Sequence, residues 1–94
     1  MKTLTDDNFA ETLSSNSTFM VMFGASWCGP CRSLKPQIEK MNRDNVGYLD
    51  IENSEIPNQF SIRAVPTLIV FEGGKEKVRA HNLTDELLTA LGDD

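Results

Sequence analysis

Cys28 and Cys31 are the only cysteines in this 94-residue chain, and they stand three positions apart in FGASWCGPCRSLKP, Phe23 to Pro36. Thiols at that spacing can form a redox couple, half of a metal site or a covalent staple. On an α-helix, residues three apart have Cα atoms about 5 Å apart, from a rise of about 1.5 Å per residue on a cylinder of radius about 2.3 Å. A disulfide needs Cα atoms roughly 4.4 to 6.8 Å apart, so this pair can open and close a bond with little backbone movement. Stapling is disfavoured, because closing so small a loop removes little entropy from the unfolded chain. Zinc stays open as the other chemistry: a structural site takes about four ligands, so His81, the single histidine, and a carboxylate would have to join the two thiols.

The segment after the cysteines divides their labour. Cys31, Leu34, Ile38 and Met41 recur at steps of three and four, while Arg32, Lys35, Glu39, Lys40 and Arg43 take the other faces. This pattern predicts an amphipathic helix whose inner stripe begins at Cys31. Cys28 then sits at the helix N-terminus, where unpaired N–H groups and the macrodipole favour a thiolate, which makes it the better nucleophile. Pro30 suits the first turn, where its missing N–H has no intrahelical partner, and Gly29 accepts the restriction that a following proline imposes. Pro36 falls inside the periodic pattern and predicts a kink rather than a break, because Ile38 and Met41 continue the stripe.

Other elements must hold that helix. TFMVMF (Thr18 to Phe23) is apolar without alternation, as in a strand covered on both faces. VGYLDI (Val46 to Ile51) and TLIVF (Thr67 to Phe71) read as further inner strands, with a short helical turn in SEIPNQF between them. Gly73-Gly74 signals a hairpin turn into a charged edge strand around Lys75 to Arg79. Lys2 to Leu4 leaves room for only a short first strand. Thr5, followed by Asp6 and Asp7, predicts the cap of a first helix bearing Phe9 and Leu13, and Thr84 with Asp85 and Glu86 predicts the cap of the last, where Leu83 stands to staple onto Leu88. This order implies an α/β fold, a mixed central sheet flanked by helices, in one domain over residues 1–94.

The composition excludes several functions. Nine Lys plus Arg against fourteen Asp plus Glu give a formal charge of -5, which repels phosphate backbones and anionic membrane surfaces. No apolar segment of signal-peptide or membrane-spanning length occurs, so the expectation is a soluble, cytoplasmic protein that binds neither nucleic acid nor membrane. A chain of this size buries a core of its own and does not need a disulfide scaffold.

With WCGPC, Pro36 and AVPT (Ala64 to Thr67) in place, the chain resembles the thioredoxin family. LTDDNF, LDIE, IRAVPTLIVF and the Gly-Gly hairpin follow in the family's order, so the resemblance covers nearly the whole chain. It implies the thioredoxin fold and protein disulfide reduction: Cys28 attacks a substrate disulfide, and Cys31 then resolves the mixed disulfide. It further implies a substrate groove of Trp27, Gly29, Pro30, Ala64, Val65 and Pro66, with Pro66 cis and the backbone before it pairing with the substrate chain like an added strand. No glycine-rich dinucleotide signature occurs. The resemblance therefore implies a chain with no cofactor of its own, acting as a monomer in electron transport and cell redox homeostasis, and receiving electrons from an NADPH-dependent thioredoxin reductase.

The chain departs from the family at informative places. A buried aspartate expected at Met22 and a partner lysine expected at Tyr48 are absent, so deprotonation of Cys31 must use water or another group. His81 aligns with a glycine that borders the groove, which would bring the single imidazole near the cysteines. Asp50 and Glu52 are candidate proton acceptors. Two other function classes use the same fold. A disulfide oxidase or isomerase is disfavoured by the Gly-Pro pair between the cysteines, and a non-catalytic binding module would survive loss of both thiols.

Overall fold

The structure, a computed structural model, describes residues 1–92. The chain runs β1 (Lys2–Leu4), α1 (Phe9–Ser14), β2 (Thr18–Gly24), α2 (Gly29–Glu39), β3 (Val46–Asp50), a 3-10 turn (Ile51–Asn53), α3 (Ile56–Gln59), β4 (Thr67–Glu72), β5 (Lys75–Ala80) and α4 (Asp85–Leu91). The five strands form one mixed sheet in the order β1-β3-β2-β4-β5. β3 pairs in parallel with both β1 and β2, whereas β4 is antiparallel to β2 and β5.

β2 lies at the centre because it can cover both of its faces. Side chains alternate across a strand, so Phe19, Val21 and Phe23 enter one core with Phe9, Leu13 and Ile56, while Met20 and Met22 enter the other with Cys31, Leu34, Ile38 and Leu87. The first core lies under α1 and α3, the second under α2 and α4. An apolar run without alternation is what such two-sided burial requires.

The edges and turns follow local chemistry. β5 is charged and stands at the edge of the sheet, where Arg79 pairs with Glu76 at 2.6 Å and Lys77 with Glu72 at 2.9 Å. Gly73 and Gly74 both take positive φ, +60° and +81°, as a tight hairpin between right-twisted strands demands. Thr84 caps α4 by accepting from the Leu87 N–H at 3.1 Å, and α2 passes through Pro36 unbroken.

Two expectations are corrected. Thr5 does not cap α1, because the Asn8 side chain accepts its N–H at 2.8 Å and folds residues 5–8 into a turn that delays the helix to Phe9. Asp6 is free to reach elsewhere: its carboxylate accepts from the Ser54 hydroxyl and, at 3.3 Å, from the Glu55 N–H, tying the start of the chain to the segment before α3. β3 ends at Asp50, one residue early, since that side chain accepts the Glu52 N–H at 2.9 Å and turns Ile51 into the 3-10 segment.

Candidate active site

Cys28 is the N-cap of α2, with extended backbone (φ -87°, ψ 112°), and its Sγ accepts the Cys31 N–H at 3.2 Å. That is a sulfur held against an unpaired donor at the positive end of a helix. Pro30 occupies the first turn, and the Arg32 N–H reaches the Cys28 carbonyl at 3.2 Å. Cys28 and Cys31 are joined as a disulfide with Cα atoms 5.2 Å apart, inside the range that helical spacing predicts. Both sulfurs belong to buried residues, whereas the neighbouring Trp27 is 61% exposed, a large apolar surface at the mouth of the site. Gly29 has nothing within 4 Å of where a side chain would begin, so the motif's turn faces open space.

A second loop closes over the first sulfur. The Val65–Pro66 peptide bond is cis, and the Val65 carbonyl oxygen lies 3.7 Å from Cys28 Sγ. Because a disulfide sulfur carries no proton, this approach becomes a hydrogen bond only when Cys28 is a thiol. Two side chains hold the loop. Thr67, buried at the start of β4, donates its hydroxyl to the Ala64 carbonyl at 2.6 Å, and His81 Nδ1 stands 3.1 Å from the Pro66 carbonyl and 3.3 Å from Thr67 Oγ1. His81 thus borders, together with Pro30, Leu34, Gln37, Pro66 and Asn82, a cleft of about 220 Å³. The motif and proline segments expected to form the groove meet at Cys28, and Ala64 and Trp27 among them are exposed.

The other side of Cys31 opens onto a cleft of about 280 Å³ bordered by Ser26, Arg32, Lys35, Tyr48 and Asp50. Met22, fully buried, and Tyr48 are partners across β2 and β3, so the two departures from the family pattern are neighbours beneath α2. Burial first, then the nearby carboxylates of Asp50 and Glu52, raise the Tyr48 phenol above its ordinary pKa of 10.0 and keep it neutral.

Three residues of this region were not singled out from the sequence. Gly24 lets the Tyr48 ring approach: a Cβ there would stand 2.9 Å from Tyr48 Cε1. Gly24 stands at the end of β2, just past the apolar run that marks the strand, so the sequence pattern carried no signal for that approach. Lys35 lies 4.4 Å from the centre of the Tyr48 ring, and its place one turn after Cys31 was its signal. Thr67 had none beyond its place after Pro66. Among the described residues, no group of three His, Cys, Asp or Glu side chains comes together as a metal site.

A family model described as thioredoxin matches residues 1–92. The chain belongs to the thioredoxin family. A thioredoxin from Chlorobaculum thiosulfatiphilum is 44% identical to it over 94 residues, which cover 93% of this chain and 81% of that one. A Mycobacterium leprae protein named bifunctional thioredoxin reductase/thioredoxin is 40% identical over 73 residues, 71% of this chain but 16% of the larger protein. The X-ray structure of Fasciola hepatica thioredoxin superposes with a TM-score of 0.82 at 27% identity, covering 95% of this chain and 93% of that one. The architecture is therefore the thioredoxin fold. Thioredoxins are thiol–disulfide oxidoreductases, and this chain carries the CxxC pair at disulfide distance. Among the described residues no helix is long and apolar enough to cross a membrane.

Proposed function

We propose that this protein reduces disulfides in other proteins. In the first exchange the Cys28 thiolate attacks one sulfur of a substrate disulfide, forming a mixed disulfide and releasing the other substrate sulfur as a thiolate. In the second, the Cys31 thiolate attacks Cys28 Sγ, the bond between Cys28 and the substrate breaks, and the substrate leaves reduced while Cys28–Cys31 becomes the disulfide. Two electrons have passed from the dithiol to the substrate. The observation that carries this reading is Cys28 at the N-cap of α2, its sulfur on the Cys31 N–H and beside the Val65 carbonyl.

The substrate chain binds along Trp27, Gly29, Pro30, Ala64, Val65 and Pro66, its backbone pairing with the segment before the cis proline. The oxidised pair is returned to the dithiol by an NADPH-dependent thioredoxin reductase, a partnership supported by the fused reductase of the M. leprae relative. The protein works as a cytoplasmic monomer in electron transport and redox homeostasis, without a bound cofactor.

The test is reduction of a disulfide-bonded protein such as insulin, with dithiothreitol as electron source. The wild type accelerates it, Cys28→Ser abolishes the acceleration, and Cys31→Ser accumulates a mixed disulfide through Cys28. Activity retained by Cys28→Ser would overturn the reading.

A further inference from the structure

The second exchange needs a negative sulfur in an unfavourable place. Cys31 is 3% exposed and packs in an apolar cluster with Met20, Met22 and Leu68, where a thiolate is destabilised unless a polar group faces it. β2 presents Met22 and Gly24 to it and β4 presents Leu68, none of which ionises. α2 contributes Cys28, Arg32 and Lys35, and β3 contributes Tyr48 and Asp50, with Glu52 following. The Asp50 oxygens accept from the Glu52 N–H at 2.9 Å and from the Asn53 amide at 3.4 Å, and a carboxylate would oppose a thiolate.

Tyr48 is differently placed. The point where a Cβ on Gly24 would stand is 3.1 Å from the Tyr48 hydroxyl oxygen and 3.3 Å from Cys31 Sγ, so hydroxyl and sulfur border the same small space. The two atoms are therefore at most about 6.4 Å apart, a gap on the scale of one bridging water. Among the described residues no hydrogen bond occupies the hydroxyl. The Lys35 ammonium lies over the ring and adds positive potential at the cleft.

We infer that the Tyr48 hydroxyl is the hydrogen-bond donor that stabilises the Cys31 thiolate, directly or through one water, as that sulfur resolves the mixed disulfide. The inference rests on the exchange reaction proposed above. Cys31 gives its proton to water in the cleft, Tyr48 donates to the sulfur left negative, and the donated bond is released when Sγ bonds to Cys28. The departing substrate thiolate takes a proton from solvent, so protons and electrons balance. Met22 removes a carboxylate from beneath Cys31, and the phenol supplies a donor at the side of the same sulfur.

The test follows the reduced protein by the ¹³Cβ chemical shift of Cys31 against pH, in the wild type and in Tyr48→Phe, which keeps the ring and removes only the hydroxyl. A hydrogen bond to a charged group predicts a rise of about one pH unit in the Cys31 midpoint, and a fall of about tenfold in mixed-disulfide resolution at pH 7. The reciprocal effect is a Tyr48 titration midpoint that is higher in the reduced protein than in the disulfide form. An unchanged Cys31 midpoint in Tyr48→Phe would overturn the inference, even if turnover fell, and would leave the reductase reading intact. A wild type that reduces no protein disulfide would overturn that reading instead, while the Cys31 titration would still decide whether Tyr48 acts on the sulfur.

Discussion

Met22 and Tyr48 face each other across the parallel pair β2 and β3, and both lie under the helix that begins with Cys28 and buries Cys31. A fully buried thioether and a half-buried phenol stand where the family resemblance led us to expect two charges. The chain thereby avoids the desolvation of a buried ion pair, and the proton of Cys31 must leave by another path.

Restoring the carboxylate exposes that exchange of stability against rate. Met22→Asp is expected to lower unfolding stability by about 3 kcal/mol, since it buries an acid in an apolar cluster. Burial raises the carboxyl pKa above its unfolded value, so the loss deepens as pH rises through the raised value and is smallest in acid. Urea unfolding at pH 5 and pH 8 measures this. Rapid mixing is expected to show faster mixed-disulfide resolution in the same variant, and an unchanged rate would remove the missing carboxylate from the account.

Gly24→Ala tests the close approach of the phenol. The added Cβ meets Tyr48 Cε1 at 2.9 Å at the end of β2, so the ring must move into the cleft. Overpacking of this kind costs about 1–3 kcal/mol. Denaturant unfolding should show that loss, whereas Gly29→Ala, with open space around it, should show less than half as much.

Tyr48 is the single tyrosine, so alkaline absorbance at 295 nm follows it alone. Burial, then Asp50 and Glu52, favour the neutral phenol in the fold, and the native midpoint is expected above 10.0. The sign follows: the unfolded chain loses this proton first, so Tyr48's contribution is complete below about pH 10 and declines as pH rises toward the native midpoint. A native midpoint at or below the unfolded one would contradict the burial and charge assigned to this ring.

Thr67→Val tests what holds the proline loop. The substitution keeps the shape of a side chain 1% exposed but removes the hydroxyl that donates to the Ala64 carbonyl at 2.6 Å. The expected loss of stability is about 1 kcal/mol. Because Ala64 and Val65 are proposed to bind substrate backbone, KM for a protein disulfide should rise more than kcat falls.

Much of the fold was readable from local chemistry. The unalternating apolar run of β2, the Gly73-Gly74 turn and the Thr84 cap each depend on neighbours in sequence, and each stands where expected. The redox pair was readable for the same reason, because helical spacing alone brings Cys28 and Cys31 within disulfide reach. What escaped depends on a competing local side chain or on contacts between distant residues. Thr5 lost its place as a helix cap to Asn8, and Asp6 is held by Ser54 and Glu55 from the far side of the chain. The meeting of Gly24, Tyr48 and Cys31 requires the register of β2 against β3, which no local pattern encodes. His81 shows the intermediate case. Alignment brought it near the groove, and only the turn after β5 places its ring against the Pro66 carbonyl.

The reduction potential of Cys28–Cys31 tests the proposed direction of electron flow most directly. The protein would be equilibrated in dithiothreitol buffers of graded ratio, free thiols trapped with an alkylating reagent, and the products counted by mass spectrometry. A value near the roughly -270 mV characteristic of thioredoxin is the expected result, since a dithiol that reduces other proteins must lie at low potential. A value between roughly -120 and -180 mV, where disulfide oxidases and isomerases work, would contradict it.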